Sequence, residues 1–156
     1  MRRFAALFSI LILLSSAGST LAAGSPGTVS ITIINPAATH ATELVNPCTG
    51  NVVTAYTAGR SVEHLTTFTN SDEFWYTFTA TADAWFNDGA IAYQGHDTFW
   101  VGVNQNERNM NFTLTDNGVL FGSDGSRVSL REHAHVTVDA HGVITVWFDV
   151  TTGTCR

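Results

Sequence analysis

The sequence predicts an all-β domain, an eight-stranded antiparallel meander closed into a barrel. Three observations predict it. Apolar and polar residues alternate with a period of two through most of the chain, the pattern of strands that bury one face. Turn sequences rich in Gly, Asn and Asp recur at short intervals, and beyond the first 22 residues no run of about 10 has the spacing of an amphipathic helix. A bare sheet edge invites aggregation, and closing the meander removes it. A two-sheet β-sandwich is the alternative that the same pattern allows.

The chain opens MRR, continues through the apolar FAALFSILILL and turns small and polar at SSAGSTLAA. Charged, apolar and small-residue regions in that order are those of a cleavable secretory signal over residues 1–22, and the apolar part falls short of the roughly 20 residues needed to span a bilayer. Residues 23–156 then form a single domain, exported and free of the membrane after cleavage.

TVSITII (28–34) reads as a β-branched strand, and NPAATHATELVNP (35–47) as a long loop. NVVTAYT (51–57) and RSVEHLTTFT (60–69) read as strands parted by a turn at Ala58-Gly59. EFWYTFTATA (73–82) and AIAYQGHDTFWVG (90–102) follow, with Asn87-Asp88-Gly89 as their turn. Asn117-Gly118 is by itself a strong hairpin signal, but only three residues separate it from the turn GSDGS (122–126). The apolar row also changes parity there, so the sequence predicts one strand over 109–121 with a bulge at 116–118.

The last segment, RVSLREHAHVTVDAHGVITVWFDVTTGTC, reads as a hairpin. Val128, Leu130, Ala134, Val136 and Val138 share one parity, and Ile144, Val146, Phe148 and Val150 share another. Putting both rows on one core sets Val138 opposite Ile144 and leaves Ala140-His141-Gly142 as a three-residue loop, with Gly142 free to turn left-handed. Carried along the ladder, that register sets His133 opposite Asp149 and His135 opposite Trp147.

Five Arg and no Lys follow the predicted signal, against thirteen acidic residues, for a net charge of −8 with His neutral. Nucleic acid and anionic membrane surfaces are excluded as partners, because both need clustered cations. Cys48 and Cys155 are the only cysteines, and in an exported chain they read as a disulfide closing a loop of more than 100 residues.

NPCTG (46–50), His64-Leu65-Thr66, Tyr93 with Gly95, GSDGSR (122–127) and HVTVDAHGVITV followed by a terminal Cys resemble a family of small secreted proteins found mainly in actinobacteria. The resemblance spans about 46–155 and implies no activity, ligand or catalytic residue. The chain departs from the family pattern at Asn51, where members often carry Glu, and at Arg131, where they carry His.

Two groups of residues are candidates for chemistry. His64, Tyr76, Tyr93, Asp97 and Glu132 fall on the parity taken as core-facing and would line a barrel lumen, as a ligand pocket or as an acid/base site. His133, His135 and Asp149 would stand together on the outer face as weak metal ligands. No nucleophile elbow, phosphate loop, dinucleotide fingerprint or HExxH occurs, and no cofactor is implied. The reading is a secreted, non-enzymatic β-barrel with a binding or structural role. A carrier of a small apolar ligand and an enzyme using an interior His/carboxylate pair are the alternatives. Trp75, Trp100 and Trp147 add adhesion to a cell-wall polysaccharide as a further partner class.

Overall fold

The computed structural model describes residues 18–23 and 27–156, with side chains described from residue 27 onward. Eight strands make one antiparallel sheet in strict sequence order. They are β1 (Gly18–Ala23), β2 (Thr28–Val45), β3 (Val52–Phe68), β4 (Phe74–Asp88), β5 (Ile91–Gln105), β6 (Asn109–Gly122), β7 (Arg127–Asp139) and β8 (Ile144–Cys155). Among the described residues no ladder joins β8 to β1 or β2, so the sheet is open where a barrel is predicted, and it is one sheet rather than the two of a sandwich. Of the predicted signal, residues 1–17 lie outside the described residues, while the rest falls in β1, which pairs with β2 from Gly18↔Ile34 to Ala23↔Val29.

Two predicted breaks are absent. Residues 35–45 are not a loop but continue β2, with an irregularity between Asn35 and Ala38 where Pro36 withholds its ladder hydrogen bond. Ala58-Gly59 is not a turn but the middle of β3, paired with Asp83 and Ala82. Gly59 is there for space: a Cβ on it would collide with the backbone of Thr81 and Ala82. Gly95 meets β6 in the same way, at Val119 and Leu120. With Ala80, Ala82, Ala84 and Gly118, these two glycines put a band of small residues on the inner face, and the sheet coils tightly about it.

Coiling brings one end of the inner face together into a core of Val53, Ala55, Ala84, Phe86, Tyr93, Leu120 and Val128, with Leu44, Cys48, Ile91 and Leu130 packed against it. Phe86 and Tyr93 stack at 4.6 Å, and the Tyr93 hydroxyl accepts a hydrogen bond from Ser126 Oγ at 3.1 Å.

The turn from β2 to β3 is the NPCTG segment. Asn46 is fully buried; its side chain accepts from the Cys48 amide at 3.0 Å and donates to Asp88 Oδ2 at 2.7 Å. Thr49 and Asn51 also donate to Asp88, and these three donors hold its carboxyl below the usual carboxylate range. From this clamped turn Cys48 reaches Cys155, bonding the end of β8 to the opposite side of the sheet as the sequence predicts.

The parity change at Asp116-Gly118 is a change of side chains and not of backbone. β6 runs unbroken and without chain reversal, and its registers with β5 and β7 continue through 116–118 with no bulge. The bulge is in β8. Val138 faces Ile144 and Gly142 is left-handed at φ 79°, as predicted, but Thr145 is then an extra residue and Thr137 pairs with Val146. One inserted residue turns every later side chain over. His133 therefore faces Val150 and His135 faces Phe148, while Asp149 and Trp147 pass to the inner face opposite Ala134 and Val136.

Two measurements check this fold. Cys48→Ala should leave a titratable thiol at Cys155 and lower the unfolding free energy by about 5 kcal/mol in denaturant titration, the loop-entropy value for a closure this long. Phe148→Ala should shift the ring-proton resonances of both His133 and His135, whose rings it touches at 5.1 and 5.8 Å. Asp149→Asn should leave them in place.

Candidate functional site

Tyr76, Tyr93, Asp97 and Glu132 all face inward, but they do not converge. Tyr93 is sealed in the core. Tyr76 stands on the far half of the sheet, donating to Glu63 Oε2 at 2.9 Å, and Asn35 donates to the other oxygen of Glu63 at 2.6 Å. Burial first, then the hydrogen bond and charge of Glu63, raise the Tyr76 phenol well above its ordinary value.

His64 is on the outer face, against the expectation that it lines a lumen. It pairs with Thr32 and Thr77, and its Nδ1 meets Thr32 Oγ1 at 2.9 Å. The misplacement follows from the imagined turn at Ala58-Gly59, since an unbroken β3 fixes the parity of Glu63 by that of Val53 and Ala55. Glu63, not His64, belongs to the inner face.

What the structure does gather is carboxylates. Asp97 on β5, Asp116 on β6, Glu132 on β7 and Asp149 on β8 form an oblique band across four adjacent strands, with Asp116 directly opposite Glu132. From β3 to β8 the inner-face positions hold no Arg, Lys or His to neutralise them. Burial, then a hydrogen bond to Asp97 and its charge, then the charge of Glu132, push the Asp116 carboxyl up to about 8, partly opposed by the Asn117 backbone. Its Oδ1 is buried and has no hydrogen-bond partner. Glu132 is raised too, by burial and by Asp149. Asp116 was legible in the sequence, sharing parity with Leu114 and Leu120, but the inferred bulge placed it outside the row.

The histidines predicted as metal ligands are not gathered either. His133 and His135 keep to the outer face while Asp149 is on the inner one, and the His135 ring nitrogens meet Thr113 Oγ1 at 2.8 Å and Thr137 Oγ1 at 3.2 Å. Among the described residues no three His, Cys, Asp or Glu side chains are placed to share a metal ion.

Two hollows among the described residues are on neither predicted site. One, of about 550 Å³, is lined by Asn51, Val52, Thr54, Tyr56, Asn87 and Asp88. The other, of about 480 Å³, is lined by Asp83, Trp85, Gln94, His96 and Phe121. Both are open grooves on the outer face, one on each side of the Tyr56–Trp85 pair, whose rings stack at 5.8 Å and 15°. No family model matches the chain, and neither a curated protein nor a solved structure does.

The acid band sets a pH dependence. Asp116 binds its proton more tightly folded than unfolded, where its value is near 3.8, so this group's contribution to stability is fully present below that value and is lost as pH rises through about 8. Asp116→Asn should match the parent near pH 4 and exceed it at pH 9 by about 1 to 2 kcal/mol once solvent screening is allowed for, read from urea unfolding at the two pH values.

Proposed function

We propose that the chain is an exported, non-enzymatic binding protein that engages its partner through the outer face of the sheet. The single observation that carries this reading is that Tyr56, Trp75, Trp100, Phe121 and Phe148 are exposed on that face together with two open grooves, on a sheet whose apolar core lies on the other; of the exposed aromatics Trp147 is on the inner side. The Cys48–Cys155 bond is compatible with an extracellular location. An interior acid/base pair built on His64 has no support, since the sheet separates His64 from Asp97 and Glu132. A carrier's lumen would need a closed barrel, and the ladder is open.

The test is retention. Protein recovered from the medium of an expressing culture should rebind saturably to washed cells and show only its own mass in native mass spectrometry. A small molecule bound in stoichiometric amount would replace this reading with a carrier. Absence of rebinding to any cell-envelope fraction would remove it.

A further inference from the structure

The two sides of the sheet are guarded unequally against pairing with another chain. Charges, prolines and bulges are the devices that stop a strand edge from accepting a further strand. β8 carries a bulge and Asp149. The second half of β2 carries Pro36, the irregularity between Asn35 and Ala38, and Glu43. Its first half, Thr28–Ile34, carries none of these: its register with β3 is unbroken, and from Gly24 to Thr42 there is no Asp, Glu, Arg or Lys. The unguarded stretch is the one that β1 covers, from Gly18↔Ile34 to Ala23↔Val29.

Residues 18–22 belong to the signal proposed for 1–22, so export would remove all of β1 except Ala23. Val29 and Ile34 are exposed even beside β1, and its loss leaves the backbone donors and acceptors along this half of β2 without their strand partner. What remains is an uncharged, β-branched edge on which β1 has already seated an antiparallel strand.

We infer that the exported protein pairs with a second copy of itself along this edge, β2 against β2 about a two-fold axis at Ile31. The inference takes from the proposed function only that the chain is exported and its signal removed. Val29-Ser30-Ile31-Thr32-Ile33 alternates apolar and hydroxyl residues symmetrically about Ile31, the property of a strand that pairs with itself rather than with a foreign peptide. An antiparallel ladder centred there sets Val29 of each copy opposite Ile33 of the other and Ser30 opposite Thr32, with the apolar pairs on the inner face and the hydroxyls on the outer. Pro26 and Pro36 each stand five residues from Ile31, so the ladder stops at the same place in both copies. Val45, beyond which Cys48 is tied to β8, is about 45 Å along the strand from the axis, so the two coiled ends point away from each other. The molecule is acidic, and an uncharged stretch is where two copies meet with least repulsion. A ladder this short buries little area, which makes the dimer weak and dependent on concentration.

Sedimentation velocity of the secreted protein, with its first residue established by intact mass, tests the inference. A chain beginning at Ala23 should sediment as a monomer at micromolar concentration and increasingly as a dimer towards millimolar. Ser30→Lys/Thr32→Lys, which sets lysines opposite lysines, should stay monomeric throughout, with folding verified by unchanged near-ultraviolet circular dichroism. Thr39→Lys/Ala41→Lys adds the same charge to the same strand beyond Pro36 and should dimerise as the parent does. In the parent, hydrogen exchange at residues 29–33 should slow as concentration rises, while exchange at 144–155 stays constant. A parent that begins at Ala23 and is monomeric at every concentration, alone or with the added mass of a foreign strand, would overturn the pairing. A dimer that survives in Ser30→Lys/Thr32→Lys, equal loss in both variants, or protection that appears at 144–155 instead would also overturn it. A secreted mass that includes residues 18–22 would remove the cleavage on which the inference rests, and rebinding to cells is decided separately from all of these.

Discussion

The structure depends on one cross-sheet fastening. A meander that does not close leaves β8 hydrogen-bonded on one side only, and all twelve of its residues are exposed. Such a strand is the element most easily lost, because little apolar surface holds it. The Cys48–Cys155 bond compensates by tying the strand's last residue to the segment between β2 and β3. That segment is itself rigid, since Asp88, reaching from the end of β4, gathers Asn46, Thr49 and Asn51. Disulfide and carboxylate clamp therefore act in series, and both deliver their effect at the same end of the sheet as the apolar core.

Coiling explains why the inner face is divided. Gly59 and Gly95 admit a close approach that no side chain could share, and the small residues around them let the sheet bend until its far strands meet over Phe86 and Tyr93. The same bend crowds Asp97, Asp116 and Glu132 together without a cation among them. Asp116 resolves the crowding by keeping its proton, at the expense of an unpartnered oxygen. This is a strain that the core tolerates, and its chemistry is that of a carboxylic acid held neutral rather than of a metal or nucleophile site.

The strand alternation made most of the meander readable: 109–121 as one strand, the Gly142 loop and the Val138–Ile144 pair follow from it, and the Cys48–Cys155 bond follows from the cysteine count in a chain that opens with a signal-like segment. Closure was not readable, because a bare edge argues for a barrel only if nothing else protects it, and a covalent staple does so locally. Glycine misled twice. At Gly59 it marks contact between strands rather than a turn, and at Gly118 it shares the inner row with Asp116, so the apolar pattern lapses while the backbone does not. The candidate site suffered in proportion: an error of one residue exchanged Glu63 for His64 and hid Asp116.

The bulge at Thr145 shows how a single residue settles what each face is for. Without it, Val146, Phe148 and Val150 would extend the inner apolar rows, and Asp149 would face His133 in solvent. With it, Asp149 joins the inner acid band and raises Glu132, Trp147 stands opposite Val136, and Phe148 lies against His133 and His135 on the outside. A bulge also twists the edge it sits on, so β8 presents an irregular row of backbone groups to any approaching strand. Edge pairing is thereby disfavoured at β8, while the outer surface from β3 to β7 keeps its ladder registers without interruption.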